Sequence, residues 1–140
     1  MPRLLLPALA LALACSHSAS SPAPSSPAPR CDLEAAAAIP AGVDIRWREA
    51  GDEPPRVTPD LCFLRAFRIP SGLRGPRDWI VQFAVLADGR LAGFQMLTDG
   101  IEPELACAVW RSLTGCRWTP GRDAAGRPTA FWVKIPMRIR

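Results

Sequence analysis

Sulfur is the most reactive element this chain carries, at Cys15, Cys31, Cys62, Cys107 and Cys116. A cysteine can act as a thiolate nucleophile, a metal ligand, half of a disulfide or an attachment point for lipid. Nucleophilic catalysis needs a base within hydrogen-bond reach. The only histidine, His17, lies near the amino terminus, far in sequence from the four later cysteines. There is no G-x-S-x-G stretch and no tyrosine. Metal binding is not expected either, because there is no C-x-x-C pair and no histidine beside the later cysteines. Paired carboxylates are the remaining catalytic option, but Asp88, Asp99, Glu102 and Glu104 sit where turn and helix-start chemistry already account for them. The expectation is a protein that is not an enzyme and needs no cofactor. A hydrolase using carboxylates is the reading held in reserve.

The compartment decides how the sulfurs are read. Arg3 is followed by an apolar stretch from Leu4 to Ala14 and then by Cys15. That stretch is too short to span a bilayer, which takes about 20 residues. A basic start, an apolar middle and a small residue before the cut make a secretory signal. Leu11-Ala12-Leu13-Ala14-Cys15 resembles a bacterial lipoprotein signal, which implies cleavage after Ala14 and lipid on Cys15. The same resemblance implies that Ser16, rather than Asp, directs the protein to the outer membrane. "SHSASSPAPSSPAPR", Ser16 to Arg30, cannot bury a core. Extended at about 3.1 Å per residue, it reaches at most roughly 45 Å. The expected organisation is a signal peptide over 1–14, a Ser/Pro/Ala-rich tether over 15–30 and one folded domain over 31–140. Outside the cytoplasm the four later cysteines are expected to be disulfide-bonded, and four sulfurs allow three pairings.

The net charge is +4, and Lys134 is the only lysine. The arginines are scattered, with no basic run and no interleaved aromatic stripe, so nucleic-acid binding is not expected.

Within the domain, "CDLEAAAAIP" reads as a short helix ended before Pro40. "VDIRWRE" alternates like a strand. "TPDLCFLRAF" reads as a short helix capped by Thr58, with Pro59 at its first position. In "DWIVQFAVLADGRLAGFQML", Val81, Phe83 and Val85 point one way and Gln82 and Ala84 the other. Asp88-Gly89 marks a hairpin, with Leu91 to Leu97 as the return strand. Ile101, Leu105, Val109 and Leu113 then recur at helical spacing, with Pro103 in the first turn and Gly115 at the exit. "CRWTP" is a short extended piece. In "TAFWVKIPMRIR", Phe131, Val133, Ile135, Met137 and Ile139 form one face, and Trp132, Lys134, Arg138 and Arg140 the other. Pro136 donates no ladder hydrogen bond, which predicts an edge strand. The result is an α+β fold: a small antiparallel sheet of about three strands with two helices on one face.

"VQFAVLADGRLAGFQMLTDG", "PELACAVWRSLTGCRWTPG" and "GRPTAFWVKIPMRI" resemble, in order and spacing, the carboxy-terminal domain of TonB proteins. The resemblance covers about Trp79 to Arg140. In that family an aromatic-rich "W-x-F-x-P" element and a "G-x-P" lead into a final strand, and Arg117-Trp118-Thr119-Pro120 and Gly126-Arg127-Pro128 fall in register with them. TonB energy transducers carry a membrane-spanning helix and a long Pro-rich span, which this sequence does not show, so only the binding mode carries over. The resemblance implies non-enzymatic binding of an envelope protein, such as an outer-membrane transporter, by strand addition. Trp132, Lys134 and Arg138 on the last strand are the candidate partner-binding residues. Pro136, Lys134 and Arg138 are equally what proteins use to blunt an edge. A structural subunit of an envelope transport or secretion assembly is therefore the alternative. Relatives in this broad superfamily staple their two helices, which implies Cys62 with Cys107 and leaves Cys31 with Cys116. Sequential pairing, 31 with 62 and 107 with 116, stays open.

Overall fold

The computed structural model describes residues 31–138. The signal sequence, Cys15, His17, the tether, Ile139 and Arg140 lie outside the described residues.

Helix α1, Leu33–Ala37, starts at Asp32, whose carboxylate accepts the Ala35 N–H at 2.9 Å. It stops because Ile39 precedes Pro40 and is steered away from helical backbone. Strand β1, Arg56–Thr58, follows a long loop. Helix α2 is Cys62–Ala66. Thr58 does not cap it: Thr58 is held extended by pairing with Arg117 of β4, Arg117–Thr119, and the Thr58–Pro59 peptide is cis. The helix is entered instead through Leu61, in left-handed backbone with φ 60°. A tertiary strand pairing has overridden the local capping signal.

Strand β2, Asp78–Val85, is the middle of the main sheet. It turns through Asp88-Gly89 into β3, Leu91–Met96. In the turn the Gly89 N–H reaches the Leu86 carbonyl at 2.9 Å, and Asp88 accepts both the N–H and the Nε–H of Arg90. Gly89 has φ 84°, and a Cβ there would sit 2.6 Å from the Trp118 carbonyl oxygen, so glycine is required on both counts. Helix α3, Pro103–Thr114, presents Leu105, Val109 and Leu113 to the sheet, each 1% exposed. After β4 come a short pair, β5 Gly121–Arg122 and β6 Pro128–Thr129, and the last strand β7, Phe131–Arg138.

The main sheet is antiparallel in the order β3-β2-β7; β1-β4 and β5-β6 form separate two-stranded ladders. Three short helices are present rather than two, and two small ladders flank the three-stranded sheet. α1 had been legible as a helix, but the ladders bring together pieces too short to signal themselves. "VDIRWRE" is not a regular strand; it contributes one parallel bridge, Arg46 to Phe131.

The larger core lies between the sheet and the helices. It gathers Trp79, Val81, Phe83 and Val85 of β2 with Phe63, Phe94, Leu105, Val109, Leu113 and Met137. The opposite face of the sheet is covered too. Ala84, Leu86, Ala92 and Ala130 are buried there beneath Val43, Ile45 and Trp132. The 39–47 segment thus acts as a third layer where alternation alone predicts solvent.

All four later cysteines are in disulfides, as Cys31–Cys107 and Cys62–Cys116. This corrects the pairing of 62 with 107 and of 31 with 116, and the sequential alternative. Cys107 lies in α3 and Cys116 two residues beyond its end, so at about 1.5 Å per residue they stand roughly 13 Å apart, too far to bridge each other. α1 packs beside the front of α3 and α2 beside its rear, so each short helix finds the nearer sulfur. Two disulfides place the domain in an oxidising, extracytoplasmic location. Among the described residues no helix is long and apolar enough to cross a membrane.

Candidate binding edge

β7 pairs with β2 along one side only, in continuous register from Asp78–Arg138 to Val85–Phe131. Its other side is the sheet's edge. The Ile80 carbonyl accepts from Leu97 and its N–H donates to the Thr98 hydroxyl, so Ile80 faces away from β7. By alternation, Phe131, Val133, Ile135 and Met137 bond inward to β2, and Trp132, Lys134, Pro136 and Arg138 aim their backbone outward. The start of that outer edge is occupied: Trp132 N–H donates to the Arg46 carbonyl at 3.0 Å, and Arg46 N–H to the Ala130 carbonyl at 3.3 Å. From Lys134 onward no strand among the described residues pairs with it. The outer edge offers the N–H and C=O of Lys134, the C=O of Pro136 and the N–H of Arg138.

Side chains from both sheet faces flank this edge. On one face a groove of about 440 Å³ is lined by Trp47, Arg48, Pro54, Pro55, Trp132, Val133 and Lys134. Trp47 is 47% exposed, 6.3 Å from Trp132 between ring centroids, and the Lys134 ammonium lies 5.1 Å over its ring. On the helix face a second groove, about 410 Å³, runs between α2 and the end of β7. Leu64, Phe67, Ile69, Trp79 and Ile135 are among its walls, and Leu64 and Ile69 are each 48% exposed.

The loop bearing Trp47 is fixed from several sides. Arg46 makes two hydrogen bonds to Asp52, at 2.7 and 3.0 Å, and its guanidinium lies 4.8 Å over the Phe131 ring. The Asp52 side chain is only 3% exposed and also accepts the Glu49 N–H. The Arg46 hydrogen bond, helped by that N–H, holds the Asp52 carboxyl below the usual carboxylate range, and Asp52 raises Arg46 in turn. Glu53 and Arg122 then exchange two backbone hydrogen bonds.

Of the predicted contact residues, only Lys134 stands at the edge with its backbone and ammonium both presented. Trp132 lies across the small residues of the sheet: a Cβ on Gly93 would meet its ring at 2.7 Å. It is half-buried and helps close the second core. Arg138 bonds Asp78, directly opposite on β2, at 2.6 Å, and this partner raises its pKa. Cys15 lies outside the described residues, and Cys31, Cys62, Cys107 and Cys116 serve as crosslinks. Trp47, Arg48, Leu64 and Ile69 were not singled out. The one signal for Trp47 was the alternation Val43-Ile45-Trp47, which groups it with core residues.

Among the described residues no cluster of three or more His, Cys, Asp or Glu could hold a metal ion. Asp88 is held ionised by the Arg90 N–H and guanidinium, which suits a turn and not a proton donor. What the edge offers is main-chain hydrogen bonding between an aromatic, cationic flank and an apolar one. No protein-family model matches the chain, and no curated protein or solved structure shows significant similarity to it.

Proposed function

We propose that this protein is an envelope lipoprotein, anchored through Cys15 to the periplasmic face of the outer membrane. Its domain binds a protein partner, without catalysis, by accepting an extended segment along the outer edge of β7. The observation that supports this reading is that edge, open from Lys134 to Arg138 and flanked by a groove on each face. Main-chain hydrogen bonds would supply affinity, and alternate side chains entering the two grooves would supply selectivity. The hairpin–helix–strand order is in keeping with a TonB carboxy-terminal-like fold.

The edge is short, because Arg46 closes its beginning and Pro136 removes a donor from its middle. That observation favours the second reading, a subunit of an envelope transport or secretion assembly. Photocrosslinking in cells from position 134 tests both. Position 132 is unsuitable because Trp132 is half-buried and helps close the second core. Capture of one envelope protein supports partner binding, and a stoichiometric set of several proteins supports the subunit reading. Cys15→Ser is expected to release the protein from membranes; retention on membranes would end the lipoprotein reading.

A further inference from the structure

We infer that the segment received by β7 alternates acidic and apolar residues, with its carboxylates on the Trp47 side and its apolar side chains on the α2 side. This rests on the strand-addition reading above and names the chemistry of its partner.

The argument starts from the pleat. A strand laid against β7 points successive side chains to opposite faces, and each shares the face of the β7 residue it opposes. Residues opposite Lys134 and Arg138 therefore project on the Trp47 side. Residues opposite Val133, Ile135 and Met137 project on the helix side. The Trp47-side groove is lined by two cations, Arg48 and Lys134, and by no carboxylate. The nearest buried carboxylate, Asp52, is already committed to Arg46. A carboxylate entering there meets two cations that make no ion pair among the described residues, with an indole beside it for its methylene stem. The α2-side groove presents Leu64, Ile69 and Ile135, with Arg138 as its only charged wall. It takes an apolar side chain and would penalise a charged one.

Charge also weighs against a second copy of this chain paired about Pro136. Antiparallel self-pairing centred on Pro136 would set Lys134 opposite Arg138 and bring two prolines together. Like charges directly opposite are destabilising, and the paired prolines leave two carbonyls with no donor between them.

Rigidity supports the assignment of Trp47. Its loop is held by the Arg46–Asp52 pair, by the Arg46 backbone bridge to β7 and by the Glu53–Arg122 exchange. A large indole left half-exposed on a fixed loop has lost its freedom before any partner arrives, which lowers the ordering cost of binding.

The test titrates the full, disulfide-intact chain with blocked peptides alternating Glu with Val, Gln with Val, and Lys with Val. The readouts are the Lys134 backbone amide and the Trp47 indole by NMR. The Glu/Val peptide is expected to protect the Lys134 amide, shift the Trp47 indole and weaken as salt rises. Lys134→Ser is expected to weaken it roughly fivefold, as for one exposed ion pair, and to reduce the salt dependence. Leu64→Ser, at an exposed position, should weaken Glu/Val and Gln/Val peptides alike. If all three peptides protect the Lys134 amide equally, the acidic assignment is wrong and strand addition survives. If none does, both the assignment and strand addition are overturned. Sedimentation as a dimer through β7 would overturn the reading against a second copy.

Discussion

Two tryptophans, Trp79 buried and Trp118 half-buried, show how much a single hydrogen bond decides. Trp118 donates its indole N–H to the Leu113 carbonyl at 2.9 Å, near the end of α3. Trp79, 2% exposed, buries an N–H with no partner among the described residues. Trp118→Phe would remove the shorter of two hydrogen bonds to the Leu113 carbonyl, leaving it only the Cys116 N–H at 3.3 Å, as well as lose volume. Trp79→Phe loses volume but strands nothing. We therefore expect Trp118→Phe to be the more destabilising by about 1 kcal/mol, compared in urea melts of the two variants. Asp52 carries a second residue-scale prediction. Its folded-state pKa lies below its unfolded value, so its contribution is complete above about pH 4 and fades as pH falls through the lower folded value. Asp52→Asn should flatten the acid side of the stability profile and loosen the Trp47 loop, read as a change in Trp47 fluorescence. An unaltered acid limb would remove Asp52 from the account. None of this was visible in sequence. Asp52 reads as a loop residue in "GDEPPR", and its value comes from an arginine that tertiary structure brings to it.

At the scale of elements, legibility followed sequence range. β2, β3, α3 and β7 were readable because each is long enough to show its own period, and Asp88-Gly89 names its turn. Leu105 on the α3 stripe is 1% exposed, and Leu105→Ala should cost about 2–5 kcal/mol, checked by thermal and urea unfolding. β1, β4, β5 and β6 were not readable as partners, since each borrows its stability from a distant segment. Thr58 is the clearest case: a good cap by type, but taken by Arg117. Half of the candidate site was legible, namely β7 and its proline-bearing edge. The other half, Trp47, Arg48, Leu64 and Ile69, comes from segments whose position only folding supplies. Pro136→Val would restore a donor to the outer edge. We expect this variant to self-associate more readily in sedimentation than the parent while keeping its melting temperature within a few degrees.

The whole molecule holds together through two cores and two bridges. In the chain-entropy view each disulfide contributes about 4 kcal/mol by restricting the unfolded chain, a large share of a small domain's stability. Replacing Cys62 and Cys116 together by Ser should lower the melting temperature markedly, and so should replacing Cys31 and Cys107.

The bridges cross in sequence, because Cys62 lies between Cys31 and Cys107 and Cys107 lies between Cys62 and Cys116. A mechanical pull entering at Cys31 passes straight through sulfur into α3 and leaves α1, the Trp47 loop, α2, β2 and β3 out of the line of force. Stretched between residues 31 and 138, the oxidised domain should yield roughly 110 Å of contour, against about 370 Å once reduced. Single-molecule extension with and without reductant reads that difference directly. Tension on the amino-terminal side would then reach the sheet only through β4 and the segment running to β7, so the edge offered to a partner would be the part of the sheet that feels the load.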